Sequence, residues 1–250
     1  MHDMISAPAG DAPPTGLLDG ASLFLDFDGT LVELEDRPDL VRADAELIEL
    51  VHAVQARLDG RLAIVTGRSS AHIAELFGDP GFAIGGSHGV EFRWPDGRVA
   101  APEVPATLDE AVAALRAFAS SRENVLVETK LFGAGLHYRM APQHEAAALE
   151  IAEQLAADHG LHLQPGKMMI ELRAAAGDKG TAIRHLMQTE PFAGTKPIFM
   201  GDDVTDEDGF RAVAEMGGAG VLVGAPRDTA AGWHLPDVDA VRAWLAEAVR

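Results

Sequence analysis

Two aspartates separated by one residue follow an apolar run near the start of the chain. In "LFLDFDGT", the run Leu23–Leu25 leads into Asp26 and Asp28, and Gly29-Thr30 predicts a turn directly after them. Residues i and i+2 of an extended chain point the same way, so both carboxylates are predicted on one side of the backbone. Two such carboxylates need a cation or a proton between them. The pair therefore indicates either a cation-assisted active site or a solvated turn.

Three later segments carry groups that would complete an active site. "IVTGRS" places Thr66 after a second apolar run, "GDKGTA" places Lys179 at the start of a helix, and "FMGDDVTDEDGF" places Asp202 after a third apolar run. A calcium-binding loop is not indicated, because neither Gly29 nor Gly209 has the spacing from acidic residues that such a loop requires. Because these groups occur in the same chain as Asp26 and Asp28, the aspartate pair is predicted to belong to an active site rather than to a solvated turn.

Phosphoryl transfer is the chemistry that these groups could do together. Asp26 is the candidate nucleophile, since a carboxylate that attacks phosphorus forms an aspartyl-phosphate and splits one hard displacement into two easier ones. Asp28 would protonate the leaving alkoxide and later deprotonate the attacking water. Thr66 and Lys179 would hold the phosphoryl oxygens. Mg²⁺ would be bound by Asp26, the main-chain carbonyl of Asp28 and Asp202.

Strands and helices alternate on both sides of the middle of the chain. Strands are predicted at Leu23–Leu25, Leu62–Val65, Pro197–Met200 and Gly220–Val223. Helices are predicted at about 44–58, 69–77, 178–188, 206–216 and 238–249. This alternation predicts an α/β fold with a parallel sheet, helices on both of its faces and a ligand site at the carboxyl ends of the strands.

The middle of the chain has a different pattern. A hairpin, "GVEFRWPDGRVA", is followed by a helix at about 106–121 and by the strands "NVLVETK" and "GLHYRM", with "LFGA" as their turn. A second helix, at about 142–158, precedes two short strands, "LHLQP" and "KMMIELR". We interpret this part as a separate α+β cap. The predicted organisation is a flexible leader (1–20), a core domain (21–103 and 177–250) and an inserted cap (104–176).

The four segments "DFDGT", "IVTGRS", "GDKGTA" and "GDDVTDED" resemble, in this order, the four motifs of the haloacid dehalogenase (HAD) superfamily of phosphotransferases. The resemblance implies a Rossmann-like core, dependence on Mg²⁺ and the catalytic roles given above. It also implies that Asp203 and Asp206 are supporting acids near the metal.

The cap narrows the resemblance to one family. "GSHGVEFR", "VETKLFGAGLHYR", "GKMMIELR" and "TDEDGF" resemble trehalose-6-phosphate phosphatases, over residues 21 to about 225. In that family, the cap residues that face the sugar correspond to Glu128, Lys130, Arg139, Lys167 and Glu171. The resemblance also implies that the segment Gly86–Glu91 lies beside the phosphate site, which makes His88 and Glu91 candidate substrate-binding residues. Arg68 is a further candidate, but Arg68 and His88 could equally be structural side chains. One departure is Ala174, where the family usually has Pro, and we expect it to loosen the last cap strand slightly.

The amino-acid composition of the chain limits the kinds of partner that the protein is expected to bind. The chain has 250 residues, 47% of them hydrophobic, which is enough for a real core, and it has no cysteine. Its formal charge of −19 argues against a nucleic-acid partner, and no apolar run is long enough to cross a membrane. The N-terminus does not have the pattern of a secretory signal, so a cytoplasmic protein is expected. The expected partner is a small-molecule sugar phosphate, with a functional link to a trehalose-6-phosphate synthase.

Three functions stay open at the level of sequence. The first is a Mg²⁺-dependent phosphatase that hydrolyses trehalose 6-phosphate to trehalose and phosphate. The second is a phosphatase of the same superfamily that acts on another sugar phosphate, such as sucrose 6-phosphate or mannosyl-3-phosphoglycerate. The third is a non-catalytic sugar-phosphate sensor, against which the pair Asp26 and Asp28 argues, because a pure binding protein does not need a proton-shuttling acid.

Overall fold

The computed structural model describes residues 10–35, 40–78, 80–166 and 168–250. Contacts divide the chain into two compact units. The first unit reaches Ala100 and resumes at Gly177, and the second unit is Ala101–Ala176. The role of the second unit as a cap stays a prediction.

Seven α-helices are formed by the described residues: α1 (Ala45–Arg57), α2 (Ser70–Phe77), α3 (Thr107–Ser120), α4 (Glu145–His159), α5 (Lys179–Leu186), α6 (Glu207–Glu215) and α7 (Val238–Ala248). Twelve strands are formed by the same residues: β1 (Ala21–Leu25), β2 (Leu62–Val65), β3 (Ala83–Gly86), β4 (Glu91–Arg93), β5 (Val99–Ala100), β6 (Leu126–Lys130), β7 (Gly133–His137), β8 (His162–Gly166), β9 (Met169–Arg173), β10 (Lys196–Gly201), β11 (Ala219–Val223) and β12 (Trp233–Leu235). In the described part of the chain, no helix combines the length and the apolar character needed to span a membrane.

The first unit is built on an eight-stranded sheet in the order β12-β11-β10-β1-β2-β3-β4-β5. The strands from β12 to β3 run parallel, and β4 and β5 are added antiparallel. All five residues of β1, "ASLFL", are buried, as expected for a central parallel strand covered on both faces. The predicted α/β class with a parallel sheet is confirmed.

Successive residues of β1 face two different cores. Leu23 and Leu25 pack with residues of α1, α2 and α7, whereas Phe24 packs with residues of α5 and α6. Helices therefore cover both faces of the sheet. Since β10, β1 and β2 are neighbours and run parallel, their carboxyl ends meet at one edge, and Asp202, Asp26 and Thr66 follow these ends.

The flexible leader predicted for residues 1–20 needs correction over its described part. Residues Thr15–Leu18 form a 3₁₀ helix, and Leu18 is buried. The indole N–H of Trp244 donates to the main-chain oxygen of Pro13 at 2.6 Å, and the main-chain N–H of His234 donates to that of Asp11 at 3.3 Å. The segment packs on the core because its few apolar residues have partners distant in sequence. Residues 1–9 lie outside the described residues.

The second unit is a four-stranded antiparallel sheet in the order β6-β7-β9-β8, with α3 and α4 packed on its apolar face. The predicted turn "LFGA" is shorter than expected, since β7 begins at Gly133 rather than at Gly135. The main-chain N–H of Ala174 donates to the main-chain oxygen of Phe132 at 2.7 Å. A proline could not make this bond, so the expected loosening at Ala174 is wrong.

Candidate active site

A buried lysine lies between two aspartates beyond the end of β1. Lys179 is the first residue of α5, and its Nζ lies 2.8 Å from Asp26 Oδ1 and 2.6 Å from Asp206 Oδ1. Asp26 is 4% exposed, Lys179 is 3% exposed and Asp206 is 0% exposed. Each of these buried charged groups needs an oppositely charged partner, because an unpaired buried charge is strongly unfavourable.

The pKa values of Asp26 and Lys179 are both raised, for different reasons. Burial raises the pKa of Asp26 well above its ordinary value, which the Lys179 ammonium opposes. Burial alone would lower the pKa of Lys179, but the carboxylates of Asp26 and Asp206 outweigh it and raise that pKa. Lys179 therefore stays charged and provides a fixed positive group beside the Asp26 carboxylate.

Asp202 completes a group of three acids that fits a divalent cation. Ligand oxygens of Asp26, Asp202 and Asp206 lie within 4.8 Å of one another. Asp202 Oδ1 is buried and has no hydrogen-bond partner among the described residues. Burial, and then the charge of Asp206, raise the pKa of Asp202 to about 6.

The charge balance of the three acids with Lys179 and the space around Asp202 both fit a divalent cation. When ionised, these three acids exceed the single charge of Lys179 by two, which is the charge of a Mg²⁺ ion. Gly29 has φ +77°, and a Cβ at that position would lie 2.2 Å from Asp202 Oδ2. The glycine leaves the Asp202 carboxylate the space it occupies. Asp206 joins this group, although the sequence predicted it only as a supporting acid.

Asp28 is held by a two-point ion pair. Arg68 Nε lies 2.7 Å from Asp28 Oδ2, and Arg68 Nη2 lies 2.7 Å from Asp28 Oδ1. Arg68 Nη1 also lies 3.0 Å from His72 Nε2. A bidentate guanidinium fixes the plane of a carboxylate as well as its position. The contacts of Arg68 thus favour positioning of Asp28 over direct binding of substrate.

Thr66 and His88 lie side by side at the carboxyl end of β2. Thr66 is buried, its main-chain oxygen accepts from the His88 N–H at 2.9 Å, and its Oγ1 accepts from the Arg68 N–H at 3.2 Å. His88 has φ +55°, and a Cβ at Gly67 would lie 2.5 Å from His88 Nε2. The bare backbone of Gly67 therefore lets the imidazole lie against it.

Glu91 lies behind the site rather than in it. It is 3% exposed, and its Oε1 accepts from the Ser70 N–H at 3.0 Å and from Ser87 Oγ at 2.9 Å. Its Oε2 accepts from Ser70 Oγ at 2.6 Å. Glu91 thus ties the start of α2 to the segment that precedes His88. These bonds occupy both carboxylate oxygens and favour a positioning role over the predicted contact with substrate.

Asp203 and Asp206 form a reciprocal cap. The side chain of Asp203 accepts from the Val204 N–H at 2.6 Å, while the Asp203 N–H donates to Asp206 Oδ2 at 2.9 Å. A Cβ at Gly201 would lie 2.3 Å from Asp206 Cγ, so the closing residue of β10 must be small for Asp206 to sit there. The cap presents Asp206 Oδ1 to Lys179.

These groups open into a cavity of about 330 Å³ within the first unit. The predicted site residues that line it are Asp26, Asp28, Thr66, His88, Lys179, Asp202 and Asp203. Arg68, Glu91 and Asp206 are not among its lining residues. The sequence did not predict that the exposed residues Leu34 and Thr205 also line the cavity. It also did not predict which glycines leave space for the site residues, because a glycine in a sequence does not show which side chain will lie against it.

The second unit has its own polar face. Lys130 Nζ lies 2.8 Å from Glu171 Oε2, and Glu171 is 8% exposed. Glu128 and Glu171 both pair with Gly135 across the sheet, and no side chain separates them there. The hydrogen bond from His137 is the main cause that lowers the pKa of Glu128, against the effect of burial, and the two side chains lie 2.9 Å apart.

Two further residues, Arg139 and Lys167, were predicted to contact the sugar. Arg139 is exposed in the turn after β7, and Lys167 lies outside the described residues. His137 was missed by sequence reasoning, because its partner Glu128 is on another strand. The structure therefore brings Glu128, Lys130 and Glu171 together on one face of this unit.

Comparison with known proteins identifies relatives along nearly the whole chain. A sequence model of the family described as Trehalose-phosphatase matches residues 24–239. A probable trehalose-phosphate phosphatase from Sinorhizobium fredii is 37% identical over 249 residues, covering 98% of this chain and 91% of that protein. The trehalose-6-phosphate phosphatase from Escherichia coli is 34% identical over 224 residues, covering 89% and 84%.

Solved structures give the same picture. The crystal structure of a trehalose-6-phosphate phosphatase related protein superposes with a TM-score of 0.74 at 28% identity and covers 92% of this chain and 97% of its own. A phosphatase of the HAD superfamily from Bacteroides thetaiotaomicron superposes with a TM-score of 0.63 at 15% identity, covering 90% and 93%. At that identity the second likeness shows the fold alone.

Proposed function

The chain belongs to the trehalose-phosphatase family, whose members are phosphoric monoester hydrolases, and we propose that it hydrolyses trehalose 6-phosphate to trehalose and inorganic phosphate. The observation that carries the proposal is the contact of Lys179 with both Asp26 and Asp206 beside the unpaired Asp202 oxygen. A binding protein would not need a buried carboxylate such as Asp26, which lines a cavity and is paired with the ammonium group of Lys179.

In the first step, a carboxylate oxygen of Asp26 attacks the phosphorus atom and the bond between phosphorus and the sugar oxygen breaks. Asp28, protonated at this stage, gives its proton to the departing oxygen, so trehalose leaves as a neutral alcohol. The product on the protein is an aspartyl-phosphate at Asp26. Arg68 keeps Asp28 at the right place for this transfer, two residues beyond the nucleophile.

In the second step, water attacks the same phosphorus atom. Asp28, now ionised, takes a proton from the water, and the bond between phosphorus and Asp26 breaks. Inorganic phosphate leaves and the Asp26 carboxylate is restored. Asp28 ends the cycle protonated again, with a proton that comes from the attacking water.

The remaining groups stabilise charge on the phosphoryl oxygens. The Thr66 side chain and the Lys179 ammonium are the donors, and both line the cavity. Asp26, Asp202 and the main-chain carbonyl of Asp28 would hold Mg²⁺, with Asp206 close behind. A bound Mg²⁺ would neutralise phosphate charge and orient the substrate for in-line attack.

We further propose that the polar face of the second unit binds the sugar. Trehalose presents hydroxyl groups and no charge, and a partly buried ammonium–carboxylate pair such as Lys130 and Glu171 binds hydroxyls through charge-assisted hydrogen bonds. Glu128, oriented by His137, adds a further acceptor. This assignment gives the sugar part of the substrate a binding surface of its own, apart from the groups that bind the phosphate. It also places the enzyme after a synthase that makes trehalose 6-phosphate.

The experiment is phosphate release from trehalose 6-phosphate, glucose 6-phosphate, sucrose 6-phosphate and mannosyl-3-phosphoglycerate, with Mg²⁺ and with EDTA. We expect trehalose 6-phosphate to be hydrolysed with the highest kcat/KM and EDTA to abolish the reaction. A higher kcat/KM on another sugar phosphate would move the proposal to that substrate. Binding without hydrolysis of any of them would identify a sensor.

A further inference from the structure

An arginine outside the predicted site is bonded to the segment that carries the acids. Arg227 follows β11, and its Nη2 donates to the main-chain oxygen of Asp203 at 2.8 Å. Its Nη1 forms an ion pair with Glu207 and donates to the main-chain oxygen of Asp228 at 3.1 Å. Neither Arg227 nor Glu207 lines the cavity. Arg227 therefore contacts the acidic segment through the backbone of Asp203 and through the side chain of Glu207.

Glu207 makes the same connection from the other side. It is the first residue of α6, directly after Asp206, and its Oε2 accepts from the Ala230 N–H at 2.8 Å. The Thr229 side chain also hydrogen-bonds to it. The Glu207 side chain is 13% exposed and the Arg227 side chain 26%, so the ion pair is largely shielded from water. Residues 227–230 are thereby fastened to both ends of the segment 203–207.

The acidic segment needs such fastening because its own charges repel. Asp202, Asp203 and Asp206 lie within five residues of one another, and two of them belong to the group of three acids at the candidate cation site. Lys179 offsets part of this repulsion, and it forms a described ion pair with Asp206 but not with Asp202 or Asp203. Without a cation, the repulsion favours arrangements in which the carboxylates move apart.

We propose that Arg227 is a positioning residue: together with Glu207 it holds the segment 202–207 in its cation-binding arrangement before the cation binds. The inference rests on the proposed function, since it presupposes a divalent cation at Asp26 and Asp202. A segment that is already ordered binds its ion more tightly, because the apparent affinity is reduced by the fraction of molecules that are not competent to bind.

The direction of the change in Mg²⁺ affinity on replacing Arg227 distinguishes a positioning role from a simple charge effect. As a positive group near a cation site, Arg227 disfavours Mg²⁺ through space, so loss of its charge alone would tighten Mg²⁺ binding. Loss of positioning would weaken Mg²⁺ binding. Partners that orient metal ligands typically change metal affinity by about 10- to 100-fold when they are replaced.

The test is a Mg²⁺ titration of the full chain, read by the rise in Tm without substrate and by phosphate release from trehalose 6-phosphate. For Arg227→Ala we expect the Mg²⁺ midpoint of both readouts to rise by about tenfold. We expect kcat at saturating Mg²⁺ to return to near the wild-type value. Arg227→Lys keeps the charge but loses the guanidinium fork that reaches both partners, so its midpoint should rise as well. Glu207→Gln gives a second variant if Arg227→Ala does not fold, and its midpoint should also rise.

Arg184→Ala is the matched control. Arg184 Nη2 lies 2.6 Å from Glu215 Oε2 and joins α5 to the last residue of α6, so the variant removes an Arg–Glu ion pair, though a more exposed one, from the far end of α6. Its Mg²⁺ midpoint should equal that of the wild type. An unchanged or lower midpoint in Arg227→Ala, beside a wild type that responds to Mg²⁺, would overturn the role of Arg227 alone. A wild type that Mg²⁺ neither stabilises nor activates would overturn the cation site and this role with it.

Discussion

At the scale of single residues, the site depends on the placement of one positive charge. Lys179 is the group among the described residues that contacts both Asp26 and Asp206, and it does so without exposure to water. In a medium of low dielectric constant such a contact is far stronger than at the surface. We therefore propose two roles for Lys179, which balances the buried acids and would stabilise the charge on the phosphoryl oxygens.

Replacement of this lysine should reduce the rate far more than substrate binding. For Lys179→Met we expect kcat for trehalose 6-phosphate to fall by about 10²–10³-fold at saturating Mg²⁺, the usual effect of removing one transition-state donor. Steady-state kinetics measure this, with circular dichroism to establish that the variant is folded. Lys196→Met is the control, because Lys196 is exposed at the start of β10. A kcat within threefold of the wild type would show that Lys179 is structural only.

Residue types and their order predicted Asp26, Asp28, Thr66, Lys179 and Asp202 as neighbours, because each follows a strand or begins a helix at the same edge of a parallel sheet. The sequence did not predict the partners that orient them. Arg68 and Asp28 are 40 positions apart, and Glu91 and Ser70 are 21 positions apart. Such pairs depend on how β1, β2 and β4 pack, and no local pattern encodes that.

At the scale of elements, hydrophobic periodicity predicted the longer segments well. The helix predicted at 44–58 is α1, with Asp44 as its N-cap, and the strand predicted at Leu62–Val65 is β2. The strands β3, "AIGG", and β12, "WHL", were missed, because two glycines and a length of three residues give no alternating signal. The start of β7 was misplaced for the same reason, since Gly133 was interpreted as a turn residue.

The cap of α1 also joins this helix to the C-terminal helix. Asp44 Oδ1 accepts from the Leu47 N–H at 2.7 Å, and Asp44 Oδ2 accepts from Arg242 Nη1 at 2.9 Å. Arg242 Nε donates to the main-chain oxygen of Leu31 at 3.0 Å. The bond from Leu47, followed by that from Arg242, lowers the pKa of Asp44. One exposed carboxylate thus connects α1, α7 and the segment after β1.

Loss of this carboxylate should destabilise the first unit modestly. For Asp44→Ala we expect the free energy of unfolding to fall by about 1 kcal/mol at pH 7, the typical effect of removing an N-cap. Because the folded pKa lies below the unfolded value, the ionic contribution is present at neutral pH and is lost as the pH falls below about 4. Urea unfolding at pH 7 and pH 3 measures the difference from wild type, which should shrink at pH 3. Asp44→Asn, which keeps a capping oxygen, is the control. An equal difference at both pH values would exclude the ionic part.

At the scale of the whole molecule, the formal charge is −19, although positive side chains are placed at the candidate site. An anionic substrate would approach a negative protein, so the positive groups must be placed at the site itself. Lys179 and Arg68 in the first unit and Lys130 in the second are each paired with a carboxylate. Pairing keeps these groups in place without giving the molecule a positive surface.

The proposed division of labour predicts an effect that depends on the substrate. Glu171→Ala should lower kcat/KM for trehalose 6-phosphate by about 10²-fold or more, because a site built for hydroxyls loses the binding energy used in catalysis. Hydrolysis of p-nitrophenyl phosphate, which has no sugar, should change less than threefold. Glu150→Ala is the control, since Glu150 is exposed on α4, which packs on the apolar face of the same sheet. Equal losses on both substrates would show that Glu171 does not act through the sugar.

The most direct measurement concerns Asp26. Phosphate release from trehalose 6-phosphate is followed for the wild type and for Asp26→Asn at saturating Mg²⁺, with thermal unfolding to establish that both are folded. The amide has nearly the same shape as the carboxylate but cannot attack phosphorus. We expect the wild type to release phosphate and the variant to release none above background. Near-normal release by folded Asp26→Asn would contradict the account, because the phosphoryl group would then not pass through this residue.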